Sequence, residues 1–179
     1  SRDFFQRKIL IMSINNLSAH GRGAQEAWDI APLPSVMIEP LVRATLLEDL
    51  GRAGDVTTNA IVPAGHRGST AMVARQPGVV AGMDVARVAF GLIDPDIRVD
   101  VRKPDGSRIQ PGDVIAVVEG NSRAMLTAER TALNFLCHMS GIASATASVV
   151  DAIGDARSRV VCTRKTMPGM RIVQKYAAR

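Results

Sequence analysis

The chain has 179 residues, 46% of them apolar, 22% charged and only 3% aromatic, with a net charge of +5 and an isoelectric point near 9.9. That length and apolar share suffice for one sizeable core or two small ones and exclude a disordered chain. No run comes near the roughly 18 consecutive apolar residues of a membrane helix, and the Ile9 to Met12 run is too short for the apolar stretch of a signal sequence. The chain therefore reads as cytoplasmic, with no membrane partner.

The positive charge is unevenly placed. Residues 1–150 carry fifteen basic and fifteen acidic side chains, whereas residues 151–179 carry seven basic ones against Asp151 and Asp155. A concentrated positive field suits an anionic ligand. Rings are few and none alternates with the cations, so nucleic-acid recognition by base stacking is disfavoured. An RNA-binding fragment remains a rival that charge alone supports. Cys137 and Cys162 lie among apolar residues with no CxxC spacing, which predicts buried reduced thiols. His20, His66 and His138 carry no motif, and no metal-ligating residue is assigned.

In chain order, residues 1–34 show no sustained period and read as a loose leader. The chain opens on Ser1 and stops at Arg179 directly after a helical pattern, so both ends read as cut. From Ser35 the apolar residues Ile38, Val42, Leu46 and Leu50 recur at i+4, predicting a helix that Gly51 stops. Glu48-Asp49 and the Gly54 to Thr58 segment read as a turn whose carboxylates do solvated capping and turn chemistry. Residues 67–120 read as strands, ending with Val114 to Val118 and interrupted by a helix over Asp84 to Leu92, which together argue for a small α+β layer. Helical period returns from Ser122 to about Met139 and resumes from Gly141 to Ile153, with Gly154 as the stop. Val160 to Thr163 reads as a buried strand, Arg164 to Gly169 as a loop, and a further helix begins near Met170. That rhythm is the first βα unit of a parallel sheet or barrel.

Two places carry candidate chemistry. Arg164 and Lys165 follow a strand end in a βα unit, where ligands gather and the next helix presents free N–H groups; they are either solvated loop cations or hooks for a carboxylate and a phosphate. Arg130 shares an i+4, i+7, i+11 stripe with Leu126, Leu133 and Cys137, and a charge on an apolar stripe needs a structural carboxylate or an anionic ligand. There is no phosphate-cradling glycine loop, dinucleotide fingerprint or Ser-His-Asp order.

Several longer motifs occur along the chain. Glu48 to Gly51, Gly54 to Thr58, Pro77 to Gly82, Leu126 to Leu136, Ser140 to Ala143, Thr163 to Arg171 and Lys175 to Ala177 together resemble the quinolinate phosphoribosyltransferases, over about residues 36–179. The resemblance implies an α+β N-terminal sandwich domain with its linking helix over 35–140. Residues 141–179 would then begin an open α/β barrel that is truncated here. The implied reaction joins quinolinate to phosphoribosyl pyrophosphate with Mg²⁺, giving nicotinate mononucleotide, pyrophosphate and carbon dioxide in de novo NAD biosynthesis. By the same resemblance, Arg130, Thr163, Arg164 and Lys165 bind substrate and Lys165 is catalytic. The family works as a homodimer or higher oligomer with shared sites, so Arg130 would reach into the partner's site.

In that family an Asn-His-Arg segment, a further lysine and the acidic metal-binding and ribose-binding residues come after the stretch matching Lys175 to Ala177. The 179-residue piece alone is therefore expected to be inactive, and poorly folded beyond about residue 155, because one βα unit cannot cover both faces of its strand. Two other functions stay in view. One is a related transferase acting on another substrate. The other is a non-catalytic hammerhead-type carrier, suggested by Gly106 to Gly120 with its Pro111-Gly112-Asp113-Val114 turn but lacking the exposed turn lysine that such carriers modify.

Overall fold

The structure is a computed structural model that describes residues 9–13 by their backbone and residues 31–154 and 160–179 in full. In chain order the elements are β1 (Ile9–Ser13), α1 (Ser35–Leu50), α2 (Val56–Ile61), β2 (Arg67–Ala74), β3 (Gly78–Val79) and α3 (Met83–Ile93). They continue with β4 (Arg98–Val101), β5 (Arg108–Ile109), β6 (Val114–Asn121), α4 (Ser122–Ile153) and α5 (Arg171–Ala177). Four strands form one sheet in the order β1-β2-β6-β4, every pairing antiparallel, with an irregularity between Met72 and Val73; β3 and β5 pair separately.

The i+4 pattern of α1 does what its spacing dictates, burying Ile38, Val42 and Leu46 while Gly51 closes the helix with its N–H on the Leu47 carbonyl. β6 passes into α4 without a loop, because the Asn121 side chain accepts from the Ala124 N–H at 3.1 Å and caps the helix as the strand ends. Helices α1, α3 and α4 pack on one another, and α4 also lies against β2 and β6. Their shared core holds Ile38, Met72, Phe90, Ile115, Leu136 and Met139, all essentially inaccessible. Each such side chain contributes roughly 1.5–3 kcal/mol by leaving water.

The Pro77 to Gly82 motif has a physical explanation in α4. Ser144 Oγ accepts the Val79 N–H at 2.9 Å and donates to the Ser140 carbonyl, while Ser140 Oγ accepts the Ala81 N–H at 3.0 Å. Two serines one helical turn apart thus serve main-chain groups that no neighbouring strand pairs. Gly82 comes next at φ 106°, and a Cβ there would stand 2.8 Å from Met139 Sδ, so both its backbone angle and its contact with α4 require glycine.

Several expectations change. Within the segment read as a loose leader, Ile9–Ser13 is a strand pairing with β2; residues 1–8 and 14–30 lie outside the described residues. The Gly54 to Thr58 turn is the start of α2, with Asp55 as its cap accepting the Thr58 N–H at 3.0 Å. α4 runs unbroken through Gly141. By length and composition α4 meets the measure of a membrane span, but its buried residues are the core face just described. Cys162 is exposed and Cys137 half-buried, because neither lies on a face turned into the core.

The largest difference concerns Val160 to Thr163, which forms no strand and is exposed, Val161 to 77%. A parallel strand exists only when neighbours take its N–H and C=O groups, and among the described residues none lies beside it. α5, by contrast, is well folded against the core, with Val173, Tyr176 and Ala177 buried. Asp155, Arg157 and Arg159, part of the basic tail, lie outside the described residues.

Candidate anion-binding loop

The loop from Thr163 to Met170 is shaped by short-range hydrogen bonds. Thr163 Oγ1 accepts the Lys165 N–H at 3.1 Å, the Thr166 N–H reaches the Arg164 carbonyl at 3.0 Å, and Arg171 Nε donates to Thr166 Oγ1 at 3.1 Å. Arg164 and Lys165 are exposed, and among the described residues their guanidinium and ammonium groups form no hydrogen bond or ion pair. Lys103 and Arg108, in contrast, are held by Asp113 and Asp151. The loop therefore presents a planar fork and a point charge that are not engaged with a carboxylate. α5 has only seven residues and no side-chain cap at Met170, so the helix-end contribution expected at this place drops out and the two side chains carry the case.

Two contacts tie this region to the rest of the molecule. Gln174 Oε1 accepts the Met167 N–H at 2.9 Å while its Nε2 lies 3.1 Å from His138 Nε2 on α4. Tyr176 donates its hydroxyl to Asp105 Oδ2 at 2.8 Å, and Asp105 also accepts the N–H groups of Gly82 and Met83 at the start of α3. Burial, then the Asp105 charge, pushes the Tyr176 phenol well above its ordinary value. It stays a neutral donor at physiological pH.

Arg130 is not on a buried stripe. The inward face of α4 is Met125, Ala128, Ala132, Phe135, Leu136 and Met139, which leaves Leu126 45% exposed and Arg130 at the surface. The 126/130/133/137 stripe shares the right period but is rotated off the core. Arg130 Nη1 donates to Asp49 Oδ1 at 2.9 Å, across from the C-terminal end of α1. Beside it Asp55 accepts from Thr58 and, through Oδ2, from the Thr127 hydroxyl at 3.1 Å. The Thr58 hydrogen bonds come first in holding the Asp55 carboxyl below its ordinary value, and Arg130 adds to the effect. Glu129, half-buried on the same helix, is raised by burial against the opposing pull of Arg130.

Asp49 is thus held by Arg130 rather than solvated, whereas Asp55 has the capping role that the sequence suggests and adds the Thr127 contact. The only signal in the sequence is that Arg130 needs a partner, a structural carboxylate being one alternative. Arg130 stands eight residues before His138, the contact point of the loop on α4, which is roughly 12 Å along a helix rising 1.5 Å per residue. Thr163, Arg164 and Lys165 thus share one loop, and no hydrogen bond or ion pair joins Arg130 to it among the described residues. Nor, among the described residues, do three or more His, Cys, Asp or Glu side chains converge where they could hold a metal. The Mg²⁺ implied by the family resemblance therefore has no ligand set among the described residues.

Comparison with known proteins bears on the whole of this arrangement. Residues 55–140 match the model of the quinolinate phosphoribosyl transferase N-terminal domain and residues 142–179 that of its C-terminal domain. The carboxylating nicotinate-nucleotide pyrophosphorylase of Mycobacterium leprae (strain TN) is 47% identical over 142 residues, covering 77% of this chain and 49% of that protein. A probable enzyme of the same name from Synechocystis sp. is 41% identical over 82% of this chain and 49% of its own length. The crystal structure of NadC from Streptococcus pyogenes superposes with a TM-score of 0.80 at 39% identity, covering 83% of this chain and 52% of that one. The chain thus spans about half the length of the relatives it matches. With both domain models matched in order and the fold shared with NadC, the chain belongs to the quinolinate phosphoribosyl transferase family.

Proposed function

We propose that this chain forms part of a quinolinate phosphoribosyltransferase, making nicotinate mononucleotide, carbon dioxide and pyrophosphate from quinolinate and phosphoribosyl pyrophosphate in the cytoplasm. The carrying observation is the Thr163 to Met170 loop, which presents Arg164 and Lys165 with no carboxylate partner among the described residues. Quinolinate brings two carboxylates and its cosubstrate a phosphate and a diphosphate, so a productive complex crowds like charges that cations must offset. Arg164 meets a ring carboxylate in bidentate fashion, Lys165 is the catalytic cation against phosphate oxygens, and the Thr163 hydroxyl helps to seat the substrate. The chain's own residues chiefly position and neutralise.

Arg130 belongs, in this reading, to the site of a second subunit in a homodimer or higher oligomer. Its exposure, and the lack of any hydrogen bond or ion pair to the loop among the described residues, both favour that assignment. Residues 141–179 open an α/β barrel, supported by the match of residues 142–179 to the C-terminal domain model. Mg²⁺, when bound, would neutralise the leaving pyrophosphate.

The test is to incubate the full chain, as its gene encodes it, with quinolinate, phosphoribosyl pyrophosphate and Mg²⁺, and to resolve the products by chromatography. Nicotinate mononucleotide and carbon dioxide in equal amounts are expected. A folded full chain that turns over a different pyridine and not quinolinate would replace this reading with the related transferase.

A further inference from the structure

Gln174 stands out because both ends of its amide are engaged, on different elements. Its Oε1 accepts the Met167 N–H inside the loop at 2.9 Å, and its Nε2 lies 3.1 Å from His138 Nε2 on α4. An amide nitrogen only donates, so His138 Nε2 is the unprotonated acceptor and the ring carries its proton on Nδ1. The three groups form a directed chain, Met167 N–H to Gln174 Oε1 and Gln174 N–H to His138 Nε2. Among the described residues this chain is the hydrogen-bonded link between the loop and α4, since the loop's remaining bonds stay within residues 163–174.

Each end of the link is anchored differently. α5, which carries Gln174, is fixed by buried Val173 and Tyr176 and by the Tyr176 hydroxyl on Asp105. His138 is fixed on α4 between buried Leu136 and Met139. Met167 itself is exposed and contributes no packing anchor. Its amide is the point at which the loop is held.

We infer that Gln174, acting through His138, is a positioning residue that holds the Thr163 to Met170 loop against α4 and so sets where Arg164 and Lys165 meet an anion. The inference rests on the functional reading for the identity of that anion, and on geometry alone for the clamp. Losing the amide frees Met167 without removing a buried side chain, so anion affinity falls while the fold stays intact.

The experiment uses the full chain and three variants, Gln174→Ala, His138→Ala and the double variant, with Lys165→Ala as a control. Three quantities are measured: the Met167 amide hydrogen-exchange rate, the thermal midpoint, and the affinities for quinolinate and for inorganic pyrophosphate. Gln174→Ala is expected to speed Met167 exchange at least tenfold and weaken anion binding about tenfold, with little change in thermal midpoint. The double variant should match the worse single one, because both remove the same link. Lys165→Ala should weaken binding without changing Met167 exchange. Faster exchange with undiminished anion affinity, or additive effects of the two substitutions, would overturn the clamp. If the unmodified chain binds neither probe, the functional reading falls, and unchanged Met167 exchange in Gln174→Ala then decides against the clamp independently.

Discussion

At the level of single residues, the Thr163-Arg164-Lys165 triplet was legible because its three side chains are contiguous and fall in one loop, so sequence order and spatial order coincide. Lys165→Ala in the full chain is expected to lower turnover by several orders of magnitude with an unchanged thermal midpoint, measured by steady-state product formation; activity within a few-fold of the unsubstituted chain would remove Lys165 from the site. Arg130 was less legible. Its need for a partner could be read from the helix it sits on, but Asp49 lies eighty-one residues away in the chain, and no local pattern links the two. Asp55 offers a pH test with a definite sign. Its folded carboxyl titrates below the ordinary value of 3.8, so its stabilising contribution is present above that value and is lost as pH falls through the lower folded one. Asp55→Asn, which imitates the protonated acid, should denature earlier than the unsubstituted chain at pH 6. The gap between their urea midpoints should close towards pH 3.

Among elements, α1 and α3 followed from period alone and α4 did so as two stretches that the structure joins, since each buries one face against the others. The short elements did not. α2 is six residues held by Asp55 at its start and by Arg123, whose Nε and Nη2 donate to the Val62 and Asn59 carbonyls at its end. Neither partner is visible to a period count. The β-branched run Val160 to Thr163 failed for a different reason, because strand propensity reports fitness for a pleated surface and not whether a neighbouring strand is there. The Ser140 and Ser144 contacts to the Val79 to Ala81 backbone give a prediction at this scale. Ser140→Ala leaves the buried Ala81 N–H without its acceptor and should cost about 1–3 kcal/mol in chemical denaturation. A loss indistinguishable from zero would mean that the backbone finds another partner there.

For the molecule as a whole, the sequence divides well into an α+β part and a C-terminal βα part, but the observed core does not respect that division. Val173 and Tyr176 of α5 lie in the same cluster as Phe90 and Leu136. The sequence reading, which broke the α4 pattern near Ser140, did not show this, and α5 is joined to the core by the Tyr176 to Asp105 contact across seventy-one residues. If Arg130 serves a neighbouring subunit, mixing Arg130→Ala chains with Arg164→Ala chains, each inactive alone, should recover part of the activity, because some mixed assemblies retain one intact site. Recovery no greater than the sum of the separate preparations would place each site within a single subunit.

The continuity of α4 also bears on how relatives could be recombined. The two matched family segments meet at residues 140–142, and that seam falls inside a helix roughly 48 Å long at 1.5 Å per residue. A crossover there would join half-helices from different parents and separate Ser144 from Val79 and Asp151 from Arg108. A crossover between Thr163 and Thr166 keeps both of those pairs within one parent and asks only that α5 dock on a foreign core, so chimaeras joined in that loop should fold more often than those joined at the family seam.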